Sequence, residues 1–326
     1  MLDFMTVFPS WQWMPLLAVA GVAVDHVLGE PGRWHPLVGF GRFAARIERA
    51  LNADAHPGLT LPRRVSRERG LFAWIVCVCV PVAVSVGVIA LVPAPYNALI
   101  HVALLWFALG ARSLRDHIRP IGEALRNGEI ERARSLTARI VTRDTSDADE
   151  TALARAAVES ALENGNDAIF GALFWFAIAG GPGALAFRLA NTLDAMWGYR
   201  TPRFLHFGWA AARLDDCANY VPARLTALSY AVCSHFPSAL HCWRTQAVHW
   251  DSPNAGPVMA SGAGGLRVLC GGAARYHGID EARPVLGMGR LPGAADVDRA
   301  LGLVRHALWL WLAVLLGLGA LAHVIA

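Results

Sequence analysis

The sequence predicts an all-α integral membrane protein, a polytopic helical bundle with re-entrant or broken helices and additional cytoplasmic helices. Hydrophobic residues make up 55% of the 326 residues and charged residues 17%, and the mean hydropathy is +0.38. A soluble domain carries about a quarter charged residues. The apolar residues form long runs, of which 71–92 and 168–187 are uncharged and long enough to cross a bilayer.

Other apolar segments extend this pattern. Residues 14–29 are predicted as a retained first span, because no positively charged signal-peptide start precedes them. Residues 96–111 form a shorter span and 306–326 the last one. Residues 225–242 and 255–274 are ambiguous: each could be a span, a half-span or a buried helix.

Arginine-rich loops set the expected orientation. Seven arginines lie between Arg42 and Arg69, and 112–167 is again rich in arginine. By the positive-inside rule both loops are cytoplasmic, and the two spans between them form a hairpin. The sequence Gly180-Gly-Pro-Gly183 breaks helices, so 168–187 is predicted as a re-entrant segment or tight hairpin that returns to the cytoplasmic side.

We predict one membrane-embedded domain over 1–326, with a cytoplasmic helical insertion at about 112–167. Within the insertion, 121–140 has glutamate and arginine at helical spacing and is predicted as one solvated helix. Thr145-Ser-Asp-Ala-Asp-Glu150 is typical of a helix start, and that helix is expected to continue to about Asn164.

The basic residues are all arginine, and this excludes several chemistries. Without lysine there is no Schiff-base lysine and no Walker A loop, so arginines and a metal would have to bind any nucleotide. The net charge of +4 comes without a basic tract interleaved with aromatics, so we expect no nucleic-acid partner. The six cysteines lack metal-ligand spacing and are predicted to be buried apolar residues.

The most polar short stretch is Arg213-Leu-Asp-Asp-Cys-Ala-Asn-Tyr220. If it is helical, Asp215 and Asn219 share one face, and Arg213 and Asp216 a neighbouring one. Oxygen ligands on adjacent turns suit magnesium, which usually binds together with phosphates. The alternative is an Arg–Asp pair on an ordinary helix surface.

Further polar groups stand beside apolar segments. Asp25 falls within the predicted first span, where a carboxylate is costly and usually faces the bundle interior, and Glu30 and His35 follow it. Arg143 and Thr145 precede a helix start that could bind an anion, or serve only as a cap region.

Glu159 and Glu163 are four residues apart on one helical face that has no basic residue to pair with, so a cation or solvent must separate them. Asn191 and Asp194 share a face just after an apolar segment. Arg224 and Asn254 lie near turn or helix-end sequences. From the residues alone, these oxygens and arginines suit magnesium-dependent chemistry on a phosphorylated substrate, without specifying the reaction.

In order along the chain, these motifs resemble those of the cobalamin-biosynthesis proteins CbiB/CobD, the adenosylcobinamide-phosphate synthases. The matching stretches cover nearly the whole chain and are Leu28-Gly-Glu-Pro31, Arg143-Asp-Thr-Ser146, Glu163-Asn164, Asn191-Thr-Leu-Asp194, Ala212-Arg-Leu-Asp-Asp216, Pro222-Ala-Arg-Leu225 and Ser252-Pro-Asn-Ala-Gly256. The chain departs from the family where Glu30 replaces the usual aspartate. It departs again at Gly165-Asn-Asp-Ala168, where the family usually has Thr-Val-Asp-Gly, so the resemblance assigns no role to Asn166.

The resemblance implies an ATP-dependent amide ligase, which joins aminopropanol or its phosphate to a propionate carboxylate of adenosylcobyric acid. It also implies a multi-pass protein of the bacterial inner membrane with its site facing the cytoplasm. Expected partners are the corrinoid, the amine, the lipid bilayer and other membrane enzymes of cobalamin assembly. Mg²⁺ is the expected cofactor and ATP the co-substrate.

On this hypothesis each candidate residue has a role. Asp194, Asp215 and Asp216 bind magnesium–ATP, supported by Asn191 and Asn219. Phosphates are held by Arg143, Thr145, Arg213 and Arg224. Glu159 or Glu163 is the general base. The amine is held, or the site closed, by Asp25, Glu30 and His35, and Asn254 contacts substrate.

Two other functions remain open from the sequence. Asp-Asp-x-x-Asn beside membrane helices is also typical of magnesium-dependent prenyl or phosphoalcohol transferases, but a second acidic repeat of that kind is absent from the sequence. A non-enzymatic membrane sensor or scaffold on the same fold is the third possibility, which the clustered carboxylates disfavour.

Overall fold

The computed structural model describes residues 12–29, 36–53, 61–276 and 279–325. The chain groups into two compact units, the first comprising Met1–Gly110, Gly171–Ala218 and Leu315–Ala326, and the second comprising Ala111–Phe170 and Asn219–Val314. The predicted insertion at about 112–167 nearly coincides with one segment of the second unit. The prediction of a single domain stays a prediction.

Helices dominate the described residues, as predicted. In chain order they are α1 (Met14–Leu28), α2 (Pro36–Leu51), α3 (Arg63–Leu91), α4 (Asn97–Ala108), α5 (Ala111–Arg126), α6 (Ile130–Thr137), α7 (Glu150–Gly165), a π-helical turn (Asn166–Phe170), α8 (Gly171–Trp197), α9 (Trp209–Val232), α10 (Phe236–Gln246), a 3₁₀ turn (Ala247–His249), α11 (Ala255–Leu266) and α12 (Ala294–Ile325).

Four helical stretches of the described chain are long and apolar enough to cross a membrane by length and composition, namely Arg63–Leu91, Asn97–Arg126, Glu150–Trp197 and Ala294–Ile325. Each overlaps one of the predicted runs. The most apolar windows of α3 and α12 are only 22% and 11% buried. Such exposed apolar faces are expected to contact lipid.

Helix α1 differs from the predicted first span. It has 15 residues in the described chain, which corresponds to about 22 Å, less than the roughly 30 Å of a hydrocarbon core. Predicting a complete span at 14–29 was therefore wrong for the described residues. The predicted bounds of the segment agree with the helix, which is capped at Gly29.

Helix α8 is broken at the predicted place. Ala179 and Gly180 have non-helical backbone angles, with φ of +59° at Gly180. A Cβ added to Gly171 would lie 2.1 Å from the Phe187 ring, and one added to Gly183 would lie 2.3 Å from the Trp175 carbonyl oxygen. Since a straight helix would hold these pairs far apart, the two halves pack against each other as a tight hairpin.

Helix α4 stabilises that break. The Gly181 main-chain N–H donates to His101 Nδ1 at 2.9 Å, and His101 is fully buried. The histidine therefore pairs with a backbone group that the broken helix leaves without its usual partner.

The core of the first unit lies between α2, α3 and α8. Ala73 and Cys77 of α3 pack with Leu189 and Trp197 of α8, and all four are buried. At Gly70 a Cβ would lie 1.9 Å from the carbonyl oxygen of Phe207, so this close approach requires glycine.

In the second unit, α11 is buried along its whole length. A Cβ on Gly262 would lie 2.6 Å from Leu162 of α7, and one on Gly264 would lie 2.7 Å from the Ser238 carbonyl oxygen of α10. Small residues thus let three helices approach closely. This assigns the first part of the ambiguous segment 255–274 to a buried helix.

Four short strands that the sequence did not predict follow α11 in the described chain. Strand β1 (Leu269–Gly271) pairs antiparallel with β4 (Val285–Gly287), and β2 (Ala274–Tyr276) pairs antiparallel with β3 (Ile279–Glu281). We call residues 269–287 the double hairpin. Its strands have three residues each, too few for alternation of apolar and polar residues to show.

Two other predicted segments are interrupted. Residues 121–140 were predicted as one helix, but α5 and α6 are separated at Gly128, whose φ is +72°. Residues 225–242 contain the end of α9 and the start of α10, and neither helix meets the length and hydropathy of a span.

The cysteine prediction was correct for half of the positions. Cys77, Cys242 and Cys270 are buried, Cys233 is partly buried, and Cys79 and Cys217 are exposed. All six are free thiols.

Candidate active site

Helix α7 presents two glutamates to the interior of the second unit. The Asp149 carboxylate caps the helix by accepting a hydrogen bond from the Ala152 N–H at 2.7 Å. One face then carries Glu159 and Glu163 on successive turns, as predicted. Glu159 is only 3% exposed, so its charge requires partners.

Those partners come from outside the helix. Arg143 donates to Glu159 Oε2 at 2.5 Å, and Arg283 reaches both carboxylate oxygens at 3.3 Å. The Gly271 N–H of the double hairpin donates to Oε1 at 2.7 Å. The prediction that no basic residue pairs on this face was wrong, because the arginines are distant in sequence.

Glu159 therefore holds two guanidinium groups in place. Both are mostly buried, with side-chain exposures of 11% for Arg143 and 14% for Arg283. Both carboxylate oxygens of Glu159 are engaged by the two guanidinium groups and the backbone N–H, which leaves little room for contact with a substrate amine. Its geometry suits a positioning residue better than a general base.

Glu163 lies beside this ion cluster in a different situation. A cavity of about 190 Å³ is lined by Arg143, Glu159, Glu163, Asn164, Trp250 and Arg283, among others. No hydrogen bond or ion pair joins the side-chain carboxylate of Glu163 to another described residue. The carboxylate is thus available to a molecule in the cavity, between the two fixed guanidinium groups and the Trp250 side chain.

The π-helical turn after α7 carries a buried amide network. Asn166 donates to Asn219 Oδ1 at 2.7 Å and to Asp167 Oδ1 at 2.8 Å, and it accepts from the Thr226 hydroxyl at 2.9 Å. Asn166, Asn219 and Thr226 are almost fully buried. Asn219, predicted as a support for magnesium–ATP, is here part of the packing between α7 and α9.

Arg224 and Asn254 also meet within the second unit. The Arg224 guanidinium donates to Asn254 Oδ1 at 2.6 Å and lies 3.7 Å from the centroid of the Tyr220 ring. Asn254 is 5% exposed. The stacked, hydrogen-bonded arginine is held rigid, as a phosphate or carboxylate ligand would need to be.

The first unit holds the other predicted ligands. Asn191 of α8 donates to Asp215 of α9 at 3.4 Å. Asp216 lies 3.9 Å from Arg213, the predicted pair, in which Arg213 is 67% exposed. Burial raises the pKa of Asp216 above its usual range, partly offset by Arg213 and Arg200.

The predicted metal ligands Asp194, Asp215 and Asp216 do not converge into one cluster. Among the residues that the structure describes, no group of three or more His, Cys, Asp or Glu side chains is placed to hold a metal ion. Adjacent residues of a helix point about 100° apart, which separates Asp215 from Asp216. Magnesium bound with a nucleotide needs only one or two carboxylates, so the donor types still fit.

The remaining candidates are placed as follows. Asp25 is 1% exposed, in agreement with the predicted inward orientation, and Thr145 is buried with its hydroxyl donating to the Arg134 carbonyl oxygen at 3.2 Å. Glu30 and His35 lie outside the described residues.

Sequence reasoning missed Arg283, Trp250 and Thr226. Arg283 is one arginine among many in a segment without helical spacing, and Trp250 was one of twelve tryptophans. Thr226 lies one residue beyond the motif Pro222-Ala-Arg-Leu225. Only the fold brings such residues, distant in sequence, next to α7 and the turn that follows it.

The fold and the cavity define a class: a helical membrane protein with an arginine- and carboxylate-lined polar cavity. The family model described as CobD/Cbib protein matches residues 18–304. We conclude that the chain belongs to the CobD/Cbib family.

Curated relatives agree over most of the chain. The cobalamin biosynthesis protein CobD of Chromobacterium violaceum is 52% identical over 89% of this chain and 92% of its own length. The CobD proteins of Stutzerimonas stutzeri and Mycobacterium tuberculosis are 52% and 39% identical, over 92% and 91% of this chain and 96% and 93% of their own lengths. No solved structure matches the chain.

Proposed function

We propose that this protein is an amide-forming ligase of cobalamin biosynthesis. It joins aminopropanol, or its phosphate, to a propionate carboxylate of adenosylcobyric acid. The observation that carries the proposal is Glu163, an unengaged carboxylate in a cavity between two guanidinium groups that Glu159 fixes. The family membership and the names of the relatives support the pathway.

The cavity contains the groups that amide formation from an activated carboxylate requires. An amine that attacks an acyl phosphate must lose a proton, and in this proposal Glu163 accepts it. The departing phosphate and the oxyanion that develops at the carbonyl carry negative charge, which Arg143 and Arg283 stabilise. Glu159 keeps both arginines oriented, so we assign it a positioning role rather than the role of base.

Activation of the carboxylate consumes ATP in this proposal. The propionate oxygen attacks the terminal phosphoryl group, and ADP leaves. The amine then forms the C–N bond, phosphate leaves, and one proton passes to the base. A free carboxylate and an amine do not condense readily in water, which is why an activated intermediate is needed.

The first unit supplies oxygen donors suited to magnesium–ATP. One or two of Asp194, Asp215 and Asp216 would hold the ion together with the nucleotide phosphates, and Asn191 lies beside Asp215 at 3.4 Å. Bound magnesium would neutralise charge on the nucleotide phosphates. Arg213 is largely exposed and free to contact phosphate, because its 3.9 Å pair with Asp216 is weak.

The remaining candidates have the following proposed roles. Arg224, stacked on Tyr220 and bonded to Asn254, would bind a phosphate or a corrinoid side-chain carboxylate. Asp25 would hold the amine or close the site, and the resemblance to the family extends this role to Glu30 and His35. The site faces the cytoplasm of the bacterial inner membrane, near other membrane enzymes of cobalamin assembly.

The decisive experiment uses the full-length protein, purified in detergent. It is incubated with adenosylcobyric acid, Mg²⁺–ATP and either aminopropanol or aminopropanol phosphate, and products are identified by mass spectrometry. We expect the adenosylcobinamide product, or its phosphate, together with ADP and phosphate. Omission of ATP or addition of EDTA should abolish the product.

The same assay can contradict the proposal. Product formation without ATP would exclude the acyl phosphate. Consumption of a prenyl diphosphate instead of ATP would favour an intramembrane transferase. Two results together would favour a non-enzymatic role. The assay would yield no product, and growth of a cobinamide-requiring mutant would be restored by its own synthase but not by this protein.

A further inference from the structure

A second cavity adjoins the site and has no role in the reaction described above. It has a volume of about 320 Å³ and lies at the start of α7, in the second unit. Its polar lining includes Thr137, Arg143, Thr145, Ser146, Arg155 and Arg275. Arg143 alone lines both this cavity and the one that contains Glu163.

Three guanidinium groups line this space. Arg155 of α7 donates through Nη1 to the Gly271 carbonyl oxygen at 3.1 Å, and its buried Nε has no hydrogen-bond partner among the described residues. Arg275 of β2 is anchored through its main chain, since its carbonyl accepts the Asp144 N–H at 2.8 Å. Its side chain remains half exposed toward the opening.

Two carboxylates oppose these charges. Asp144 and Asp147 belong to the same lining. Asp147 pairs with Arg275 at 3.6 Å, but the two side chains are 79% and 51% exposed. An exposed pair at that distance contributes little, so a doubly charged anion can replace Asp147 as the partner of Arg275.

Thr137 points independently to a ligand. It ends α6, is fully buried and lines the cavity, yet its hydroxyl has no hydrogen-bond partner among the described residues. A buried hydroxyl without a partner is costly. A bound acceptor at this position would satisfy it.

The local backbone adds to the attraction for an anion. Helix α7 begins at Glu150 beside the cavity, and the N-terminal end of a helix carries partial positive charge. Asp149 already caps the Ala152 N–H, so the helix end assists the arginines rather than replacing them.

We propose that this cavity binds a phosphoryl group, with Arg275 as its forked ligand and Thr137 as a hydroxyl donor. The proposal deepens the proposed function, on which the identity of the ligand rests. The phosphoryl group comes from a phosphomonoester of the amine or from a nucleotide. Because Arg143 lines both cavities, a bound phosphoryl group also neutralises charge on the arginine that faces Glu163.

Binding can be measured without turnover. Full-length protein in a maltoside detergent is titrated with inorganic phosphate, Mg²⁺–ATP, aminopropanol phosphate and unphosphorylated aminopropanol, followed by calorimetry and ³¹P NMR. We expect Arg275→Ala to weaken binding of inorganic phosphate about tenfold, since a charge-assisted hydrogen bond is lost. Thr137→Val, a change of similar volume, should weaken it about threefold.

Matched controls separate this site from general charge effects. Arg132→Ala removes an arginine of similar exposure, 59%, whose partner is Glu129 and which lines neither cavity. Its phosphate affinity should stay within about twofold of the unmodified protein. Arg275→Lys keeps the positive charge but removes the two parallel N–H donors of the guanidinium group, and should weaken phosphate binding by about threefold. This variant replaces Arg275→Ala in the test if Arg275→Ala does not fold.

The ligands distinguish the two sources. If Arg275→Ala weakens binding of aminopropanol phosphate but not of ATP, the natural ligand of the cavity is the phosphomonoester. If it weakens binding of ATP but not of aminopropanol phosphate, the ligand is the nucleotide. Unchanged phosphate affinity in folded Arg275 and Thr137 variants, or an equal loss in Arg132→Ala, overturns the inference. Arg275-dependent phosphate binding by a protein that forms no amide would uphold the inference while refuting the proposed function.

Discussion

The two units of this protein use polar residues differently. In the second unit the charged groups of the site are buried and densely paired, with Glu159 bonded to two arginines and a backbone N–H. In the first unit two contacts of the candidate ligands are longer, 3.4 Å for Asn191–Asp215 and 3.9 Å for Arg213–Asp216. Dense pairing fixes the shape of a cavity, whereas an exposed side chain such as Arg213, at 67% exposure, can turn toward a ligand.

The largest expected effect tests the loosely paired region. Asp215→Asn should abolish magnesium-dependent amide formation, because the neutral amide binds the ion poorly. The protein should remain folded, since asparagine has nearly the same size and shape as aspartate. Activity is measured by mass spectrometry and folding by size-exclusion chromatography in detergent.

Asp116→Asn is the matched control, an exposed aspartate paired with Arg112 at 3.4 Å. It should keep full activity. Full activity in Asp215→Asn would remove this residue from the metal site.

The next effect concerns Glu163, whose carboxylate has no hydrogen bond or ion pair among the described residues. Glu163→Gln should lower kcat by about 10²–10⁴-fold, the usual contribution of a general base. The pH–rate profile should also lose the limb along which the rate rises with pH. Steady-state kinetics over a pH series provide both measurements.

Glu123→Gln changes an exposed glutamate of the same unit, paired with Arg119 at 2.9 Å, and should alter neither quantity. A Glu163→Gln enzyme that retains the rising limb would show that another group is the base.

The third prediction separates positioning from proton transfer. Glu159→Gln leaves two mostly buried arginines without a counter-charge, and removing one partner of a buried ion pair costs about 3–5 kcal/mol of stability. We expect a lower Tm in thermal unfolding and a reduced rate, but a pH–rate profile of unchanged shape. This contrasts with Glu163→Gln.

Glu131→Gln is its control, because this glutamate is 80% exposed and pairs with Arg134 at 2.7 Å. Its Tm should change little. If Glu159→Gln removed the rising limb and kept the Tm, the roles of the two glutamates would be exchanged.

The smallest effect is expected at Arg213. Arg213→Ala should change stability by less than about 1 kcal/mol, because the pair with Asp216 is exposed. If the side chain contacts phosphate, KM for ATP should rise about tenfold. Arg64→Ala, which removes a 90% exposed arginine of the same unit, should leave KM unchanged.

Local patterns of the sequence determined much of the fold. They identified the apolar runs, the start of α7 near Glu150, the helical stretch around Asp215 and the break at Gly180. Each of these features depends on composition, helical spacing or backbone preference within a few residues, and such local signals can be identified from the sequence without the fold. Sequence patterns also predicted that Asp25 faces the interior, and they named most of the candidate site residues.

Only the tertiary structure decided how those residues are paired. Helical spacing placed Glu159 and Glu163 on one face. It could not show that Arg143 and Arg283, 16 and 124 residues away from Glu159, would form ion pairs with that glutamate. The double hairpin that carries Arg283 was not predicted at all. A partner distant in sequence is selected by packing, because the free energy of burying a charge depends on every segment that surrounds it.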